Sequence, residues 1–303
     1  MRKLILIVLL GMFMVLAACS DEAEQTPDEQ DDEPVEEKDE DKENGQEEVR
    51  EEESEEDHEE QEQEEEKDEE LEEEVEEVEE DQKPQYEMSD SWAFSPIDDA
   101  NPSVVLLTID DAPDGQALEM AETLKALDAP AIFFVNGIFM ESEEDQEIVR
   151  QIHEMGFAIG NHTYSHQNLQ NISEEEQREE IISLSELIEE ITGEKPKFFR
   201  APHGANTDFA RNLVEDEGML LMNWTYGYDY FEPYMEAEKL AEAMITGKAP
   251  EVDVPHSLLR DGANLLMHDR EWTNEALEEI VEGLRDQGYG MLDPDLILTP
   301  SDD

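Results

Sequence analysis

Past residue 85 the chain alternates between two patterns. Short runs at 104–109, 131–135 and 157–160 are nearly continuous in apolar residues and read as buried strands. Between them, apolar residues recur at three- and four-residue spacing, the period of a helix with one buried face. Leu118, Ala121 and Leu124 mark such a helix over 116–127, and Ile148, Ile152 and Met155 mark another over 146–155. The next is the best delimited: Ser173-Glu174-Glu175-Glu176 has the form of a capping box, Ile181, Leu184, Leu187, Ile188 and Ile191 form the stripe, and Gly193 ends it. The alternation continues with strands at 197–200, 219–224, 264–267 and 289–292 and helices at 207–217, 236–246 and 273–287. Strands joined in this way over about 200 residues predict parallel βα units of (β/α)-barrel size, with an open doubly wound sheet as the alternative. In both architectures ligands sit at the C-terminal ends of the strands.

The first 85 residues break this pattern. Arg2 and Lys3 precede an apolar run at 4–15 and then Leu16-Ala17-Ala18-Cys19, which resembles a bacterial lipoprotein signal whose cleavage leaves Cys19 as the lipidated first residue. That run is shorter than the ~20 residues of a membrane span. With one cysteine in the sequence there is no disulfide framework. Residues 20–85 form a Glu/Asp/Gln tract with too little apolar surface to fold, read as a disordered tether that carries most of the formal charge of -68. The expected organisation is therefore a signal at 1–19, a tether at 20–85 and a folded domain at 86–303, lipid-anchored to the outer face of the cell membrane. With 19 basic against 87 acidic residues, nucleic acid is not expected as a partner.

Two stretches carry candidate chemistry. In Gly160-Asn161-His162-Thr163-Tyr164-Ser165-His166 two imidazoles stand four residues apart, a spacing at which both can reach one ion. Upstream, Thr108-Ile109-Asp110-Asp111 ends a strand-like run in adjacent carboxylates. Two His and one carboxylate leave coordination positions open, as catalytic rather than structural sites do. Taken singly these residues have plainer readings: an Asp as a helix cap, Arg200 as a surface ion pair, His268 as a core histidine, and Trp224, Leu266 and Tyr230 as core. Yet Asp110 and Asp111, His162 and His166, 200–204, 224–229 and His268 all fall just past predicted strands, on one face of either fold. Asp111, His162 and His166 are therefore read as holding a divalent ion able to polarise a carbonyl and acidify water. Asp110 is left as general base, oriented and kept ionised by Arg200. The His203 N–H is placed for a developing oxyanion, and His268 as general acid for a leaving amine, with Asp229 to keep it protonated. Leu266 and Trp224 line an apolar slot, so the set fits metal-assisted hydrolysis of an amide or ester with a small acyl group.

Five motifs in this order resemble those of the NodB-homology polysaccharide deacetylases, carbohydrate esterase family 4, over residues 101–292. Thr108-Ile109-Asp110-Asp111 is similar to the first, in which one Asp is the base and the next a metal ligand, and His162-Thr163-Tyr164-Ser165-His166 to the metal-binding second. Arg200-Ala201-Pro202-His203-Gly204 resembles the third, Trp224 with Asp229-Tyr230 the fourth, and Leu265-Leu266-Met267-His268 the fifth. The resemblance implies a distorted (β/α)7 barrel with a divalent metal, usually zinc and sometimes cobalt, nickel or manganese, removing N-acetyl from GlcNAc-type sugars or O-acetyl from xylan. For this chain it implies a deacetylase of peptidoglycan or a chitin-like polymer, expected to act as a monomer. A non-catalytic glycan-binding lipoprotein and a hydrolase of a non-sugar amide are the alternatives. Three positions depart from the family pattern. Ala112 replaces Gly and is expected to tighten the turn after the dyad, since Ala does not tolerate positive φ. His203 replaces an aromatic residue but keeps its backbone N–H, and Tyr230 replaces Trp but keeps a flat apolar face; both bear on the substrate more than on the metal.

Overall fold

The computed structural model describes residues 83–302, so the expected signal with Cys19 and nearly all of the acidic tract lie outside the described residues. The described chain opens with an antiparallel hairpin that the apolar pattern does not announce, Tyr86–Met88 (β1) and Phe94–Pro96 (β2). Three-residue strands are too short to show a period. The expected βα series follows: Val104–Ala112 (β3), Ala117–Ala126 (α1), Ala131–Val135 (β4), Glu143–Glu154 (α2), Ala158–Asn161 (β5) and Glu174–Thr192 (α3). Phe198–Phe199 (β6), Asp208–Asp216 (α4), Leu220–Leu221 (β7), Ala237–Thr246 (α5), Ala263–His268 (β8), Glu271–Asp286 (α6) and Gly290–Met291 (β9) complete it.

Every pair in the main sheet is parallel, in the order β7-β6-β5-β4-β3-β8, with β9 against the start of β3. What separates a barrel from an open sheet is whether the two edges meet. Just past β7 the chain turns onto β8: Thr225 N–H donates to the Asn264 carbonyl at 2.7 Å and Leu266 N–H to the Tyr226 carbonyl at 2.9 Å. The sheet therefore curls into a distorted (β/α) barrel, and the doubly wound alternative falls. β7 is shorter than the apolar run at 219–224 suggests because the Asn223 carbonyl is taken by side chains, Arg200 Nη2 at 3.0 Å and Asn264 Nδ2 at 2.9 Å.

The apolar strand runs are explained by burial on both faces. Leu107, Ile109, Phe133 and Val135 pack outward on helix residues such as Leu124, Val149, Ile152 and Leu184, while Leu106, Ile132 and Phe134 join Phe198 and Met222 in a second cluster inside. The hairpin residues Tyr86 and Phe94 belong to that inner cluster and plug the barrel floor. Thr108 and Asp110 share the inward parity of Leu106, so the interior turns from apolar at the floor to polar at the C-terminal rim.

The capping box on α3 is present on both sides, Ser173 with Glu176, and Gly193 takes the left-handed C-cap at φ 83°. Helix α2 begins three residues before its apolar period shows, because Ser142 caps the Asp145 N–H and the first turn is wholly acidic. The charge is less confined than the tract suggests: residues 83–302 alone hold 47 Asp and Glu against 13 Lys and Arg. Among the described residues no helix is long and apolar enough to cross a membrane.

Candidate active site

Asp110 and Asp111 end β3, His162 and His166 follow β5, Trp224 follows β7, and Leu266 and His268 close β8. With Asp229, Tyr230 and His203 they line one cavity of about 500 Å³ at the C-terminal rim; Arg200, fully buried, lies against Asp110 behind it. All the predicted site residues outside residues 1–82 are thus brought together.

The rim is conformationally strained. Asp111, Thr163, His166 and His203 have φ of 62°, 69°, 55° and 58°, half of the non-glycine residues with positive φ among those described. Such residues cost on the order of 1–3 kcal/mol each and persist where the surroundings over-determine them. This corrects the expectation for Ala112. The left-handed residue of the turn is Asp111 itself, whereas Ala112 is a buried strand residue paired with Val135 and carries no positive φ.

The donor set suits a divalent cation. One donor atom each from Asp111, His162 and His166 lies within 4.8 Å of the others, with Asp111 Oδ1 3.3 Å from His166 Nε2 and 3.9 Å from His162 Nε2. That Oδ1 is buried and has no hydrogen-bond partner, which in a native site calls for a ligand. His162 Nδ1 lies 2.7 Å from the Arg200 carbonyl, so it carries the proton and leaves the Nε2 lone pair facing both aspartates, 3.5 Å from Asp110 Oδ2 and 3.9 Å from Asp111 Oδ1. Burial, and then the neighbouring His166, pull the His162 pKa down to about 3, and burial lowers that of His166 as well, so both rings are neutral near pH 7 as ligation requires.

Asp110 is held differently from its neighbour. Arg200 Nη1 donates to its Oδ1 at 2.6 Å and to Thr108 Oγ1 at 2.7 Å, while the guanidinium lies 4.4 Å from the Phe134 ring centre. Burial raises the Asp110 pKa and Arg200 opposes the rise, the balance expected of a base that must be ionised yet able to take a proton. Opposite, on the adjoining strand in register with Asp110, stands His268. Its Nδ1 lies 2.8 Å from Asp229 Oδ1, and Asp229 Oδ2 accepts from the His268 N–H at 2.6 Å and from Thr273 Oγ1 at 2.9 Å. Burial pulls the His268 pKa down, but the charge and hydrogen bond of Asp229, with Asp110 and Asp111 beyond, push it up to about 9. The exposed Tyr230 ring meets His268 edge-on at 5.6 Å, and the His203 ring meets His166 at 5.0 Å. Among the described residues the His203 N–H has no acceptor within the chain, as an oxyanion donor needs.

Sequence reasoning missed the supporting residues. Arg270 Nη2 donates to Asp111 Oδ2 at 2.7 Å and Nη1 to Asp114 Oδ2 at 2.7 Å, which ties down the oxygen that does not face the histidines. Asp269 accepts the N–H groups of Asp114 and Gln116 at 2.5 and 2.6 Å, pinning the loop after the dyad. Trp272, its Nε1 bonded to the Asp229 carbonyl at 2.9 Å, and the exposed Met235 extend the apolar wall begun by Tyr230. Asn136 Nδ2 donates to the His162 and Thr163 carbonyls, and buried Glu180 on α3 grips the loop between the histidines. Only Glu180 leaves a trace in the sequence, as a charged residue on the stripe that continues through Leu184, Ile188 and Ile191.

The sequence profile of the polysaccharide deacetylase family matches residues 98–222. A peptidoglycan-N-acetylglucosamine deacetylase of Bacillus cereus is 34% identical over 126 residues, 41% of this chain and 45% of that one. A chitooligosaccharide deacetylase of Azorhizobium caulinodans is 32% identical over 201 residues, 63% of this chain and 92% of that one. Among solved structures, BA3943 of Bacillus anthracis, described as a CE4 family pseudoenzyme, superposes with a TM-score of 0.55 at 29% identity over 62% of this chain and 63% of that one. The chain spans less than two thirds of the length of the first curated relatives it matches.

Proposed function

The chain belongs to the polysaccharide deacetylase family, and from that premise we propose that it is a metal-dependent hydrolase removing N-acetyl groups from a GlcNAc-type polysaccharide, with peptidoglycan favoured over chitin-like polymers. The observation that carries the reading is the division of labour between adjacent aspartates: Asp110 is tied to Arg200, and Asp111 turns a partnerless oxygen towards His162 and His166. A divalent ion held by Asp111, His162 and His166, with zinc favoured, supplies Lewis acidity to polarise the acetyl carbonyl and acidify water.

The chain's own groups account for the proton movements. Asp110 Oδ1 is engaged by Arg200, which leaves Oδ2 to accept the proton of the attacking water. The His203 N–H meets the oxyanion that develops at the acyl carbon. His268, its Nδ1 held by Asp229, carries the proton that the departing sugar amine takes from Nε2. Leu266 and Trp224 fit an acetyl methyl, and Tyr230, Met235 and Trp272 offer apolar surface to a pyranose face.

A pseudoenzyme among the solved relatives keeps a second reading in play, glycan binding without turnover. Here all seven groups that the chemistry needs, Asp110, Asp111, His162, His166, Arg200, Asp229 and His268, are present and convergent, which favours turnover. The proposal extends to the lipid-anchored outer face of the membrane through Cys19, a reading that rests on the sequence and that Cys19→Ser tests by release of the protein from the membrane fraction. The deciding experiment is acetate release by the full-length chain from peptidoglycan, chitin oligomers and acetylated xylan with Zn²⁺, Co²⁺, Ni²⁺ or Mn²⁺. Acetate from a GlcNAc polymer supports the proposal. Glycan binding without acetate under any ion establishes the second reading, and turnover confined to simple amides establishes a non-sugar amidohydrolase.

A further inference from the structure

Of the two imidazoles facing Asp111, His162 is aimed by a hydrogen bond on its own ring, from Nδ1 to the Arg200 carbonyl. Among the described residues no such bond reaches His166 Nδ1, so the direction of that ring is set by the backbone that carries it and by edge-on packing with the His162 and His203 rings, each 5.0 Å away. That backbone is unfavourable by itself, since Thr163 and His166 are both left-handed, at about 1–3 kcal/mol each.

Helix α3 holds the loop in place. Glu180, 8% exposed as a residue, accepts through its carboxylate from the Ser165 N–H at 2.7 Å, from the Ser165 hydroxyl, and from Gln167 Nε2 at 3.1 Å. Its main chain joins in, the Tyr164 N–H donating to the Glu180 carbonyl at 3.0 Å. At the start of the loop Asn161 Nδ2 reaches the Ile181 carbonyl at 2.8 Å and Ser185 Oγ at 2.9 Å. Among the described residues no Lys or Arg pairs with Glu180. A buried carboxylate without a cation is costly, and at a stripe position an apolar residue would pack at no such cost.

We propose that Glu180 is the positioning residue for His166: through Ser165 its carboxylate holds the left-handed turn that aims the ring at Asp111, and so governs how tightly this site takes a divalent cation. The inference rests on the metal-site reading of Asp111, His162 and His166. Outer-sphere supports of this kind typically change metal affinity by about 10–100-fold.

The test uses the full-length chain, stripped by a chelator and titrated with Zn²⁺ against a chromophoric competitor, then with Co²⁺, whose visible absorption reports ligand geometry. Glu180→Gln keeps the shape but turns one acceptor oxygen into a donor, which cannot serve the Ser165 N–H, the Ser165 hydroxyl and Gln167 together. The expected result is Zn²⁺ affinity weaker by about 10–100-fold with an altered Co²⁺ band in protein that still melts cooperatively. Ser165→Ala, which removes the hydroxyl and leaves the N–H, gives a smaller loss of the same sign. If Glu180→Gln only lowers the melting temperature while affinity and band match the parent, the residue is structural and the proposal fails. Should that variant not fold, Ser165→Ala decides, and unchanged affinity there overturns the proposal. A parent chain that binds no Zn²⁺ removes the metal reading and this inference with it, whereas one that binds Zn²⁺ but releases no acetate removes only the deacetylase reading.

Discussion

Arg200 Nη1 donates to Asp110 Oδ1 at 2.6 Å with both side chains shut off from solvent. Removing one member of a buried pair strands the other charge, at about 3–5 kcal/mol. Arg200→Met is therefore expected to lose stability of that order in denaturant titration. Arg200→Lys keeps the charge but loses the fork that also reaches Thr108 and the Asn223 carbonyl, and should fall in between. Because burial raises the Asp110 pKa and Arg200 opposes it, both variants should move the acid limb of kcat/KM to higher pH.

His268 and Asp229 set the alkaline limit. With its folded pKa at about 9, above its ordinary 6.5, His268 contributes stability that is fully present below about pH 6.5 and lost as the pH rises through about 9. The acid form needed for the leaving amine persists through most of that range and disappears only as the pH passes about 9. Asp229→Asn removes the main upward influence and leaves burial opposed only by Asp110 and Asp111, so the alkaline limb of the kcat/KM profile should drop towards 6.5. An alkaline limb that stays near 9 in this variant would assign it to another group.

The aspartate roles separate by metal content. Asp110→Asn should reduce kcat by about 10²–10⁴-fold while the purified protein keeps its ion, and His162→Ala should lose the ion itself. Elemental analysis beside initial rates reads both, and loss of the ion from both variants would reverse the assignment of base and ligand.

Ala112 bears on a point of family likeness. Its backbone is strand-like, so Ala112→Gly relieves nothing and adds unfolded-state entropy at about 0.5–1 kcal/mol. The expectation is a slightly lower melting temperature and no gain in kcat. A rate increase would show that the dyad turn is held too tightly by the alanine.

The domain carries an excess of acid independent of the tract, 47 Asp and Glu against 13 Lys and Arg in residues 83–302. Self-repulsion of that size destabilises the compact state and is screened as the Debye length falls from about 10 Å at 0.1 M salt to about 3 Å at 1 M. The melting temperature should rise by on the order of 5 °C between these conditions, about 2 kcal/mol for a domain of this size. A flat response would mean that the surface carboxylates are already neutralised by protonation or bound cations.

Legibility in the sequence tracked how local each signal is. Ala131–Val135 falls where its five apolar residues place it, and α3 is bounded by its capping box and Gly193, since these signals lie within a few residues of the structure they specify. The residues that take part in chemistry were also readable, because strand ends and ligand spacing locate them. What stayed hidden needs partners distant in sequence: Arg270 reaches Asp111 across 159 positions, Asp269 reaches the loop at 114–116, and the barrel closes through Thr225 and Asn264 rather than through a regular strand pair. The positive φ falls on Asp111 rather than on Ala112, and aspartate tolerates the left-handed region better than alanine, so residue type favours the position the chain uses.

The floor hairpin also has a mechanical consequence. Gln85 N–H donates to the Leu296 carbonyl at 2.8 Å, Leu298 N–H to the Tyr86 carbonyl at 2.8 Å, and Phe94 N–H to the Gly262 carbonyl at 2.8 Å. Tension entering the chain near residue 83 therefore loads β1 against the C-terminal segment first, at the opposite end of the strands from Asp110 and His268. A load entering there meets these floor contacts before it reaches β3 and β8, which carry Asp110 and His268 near their far ends.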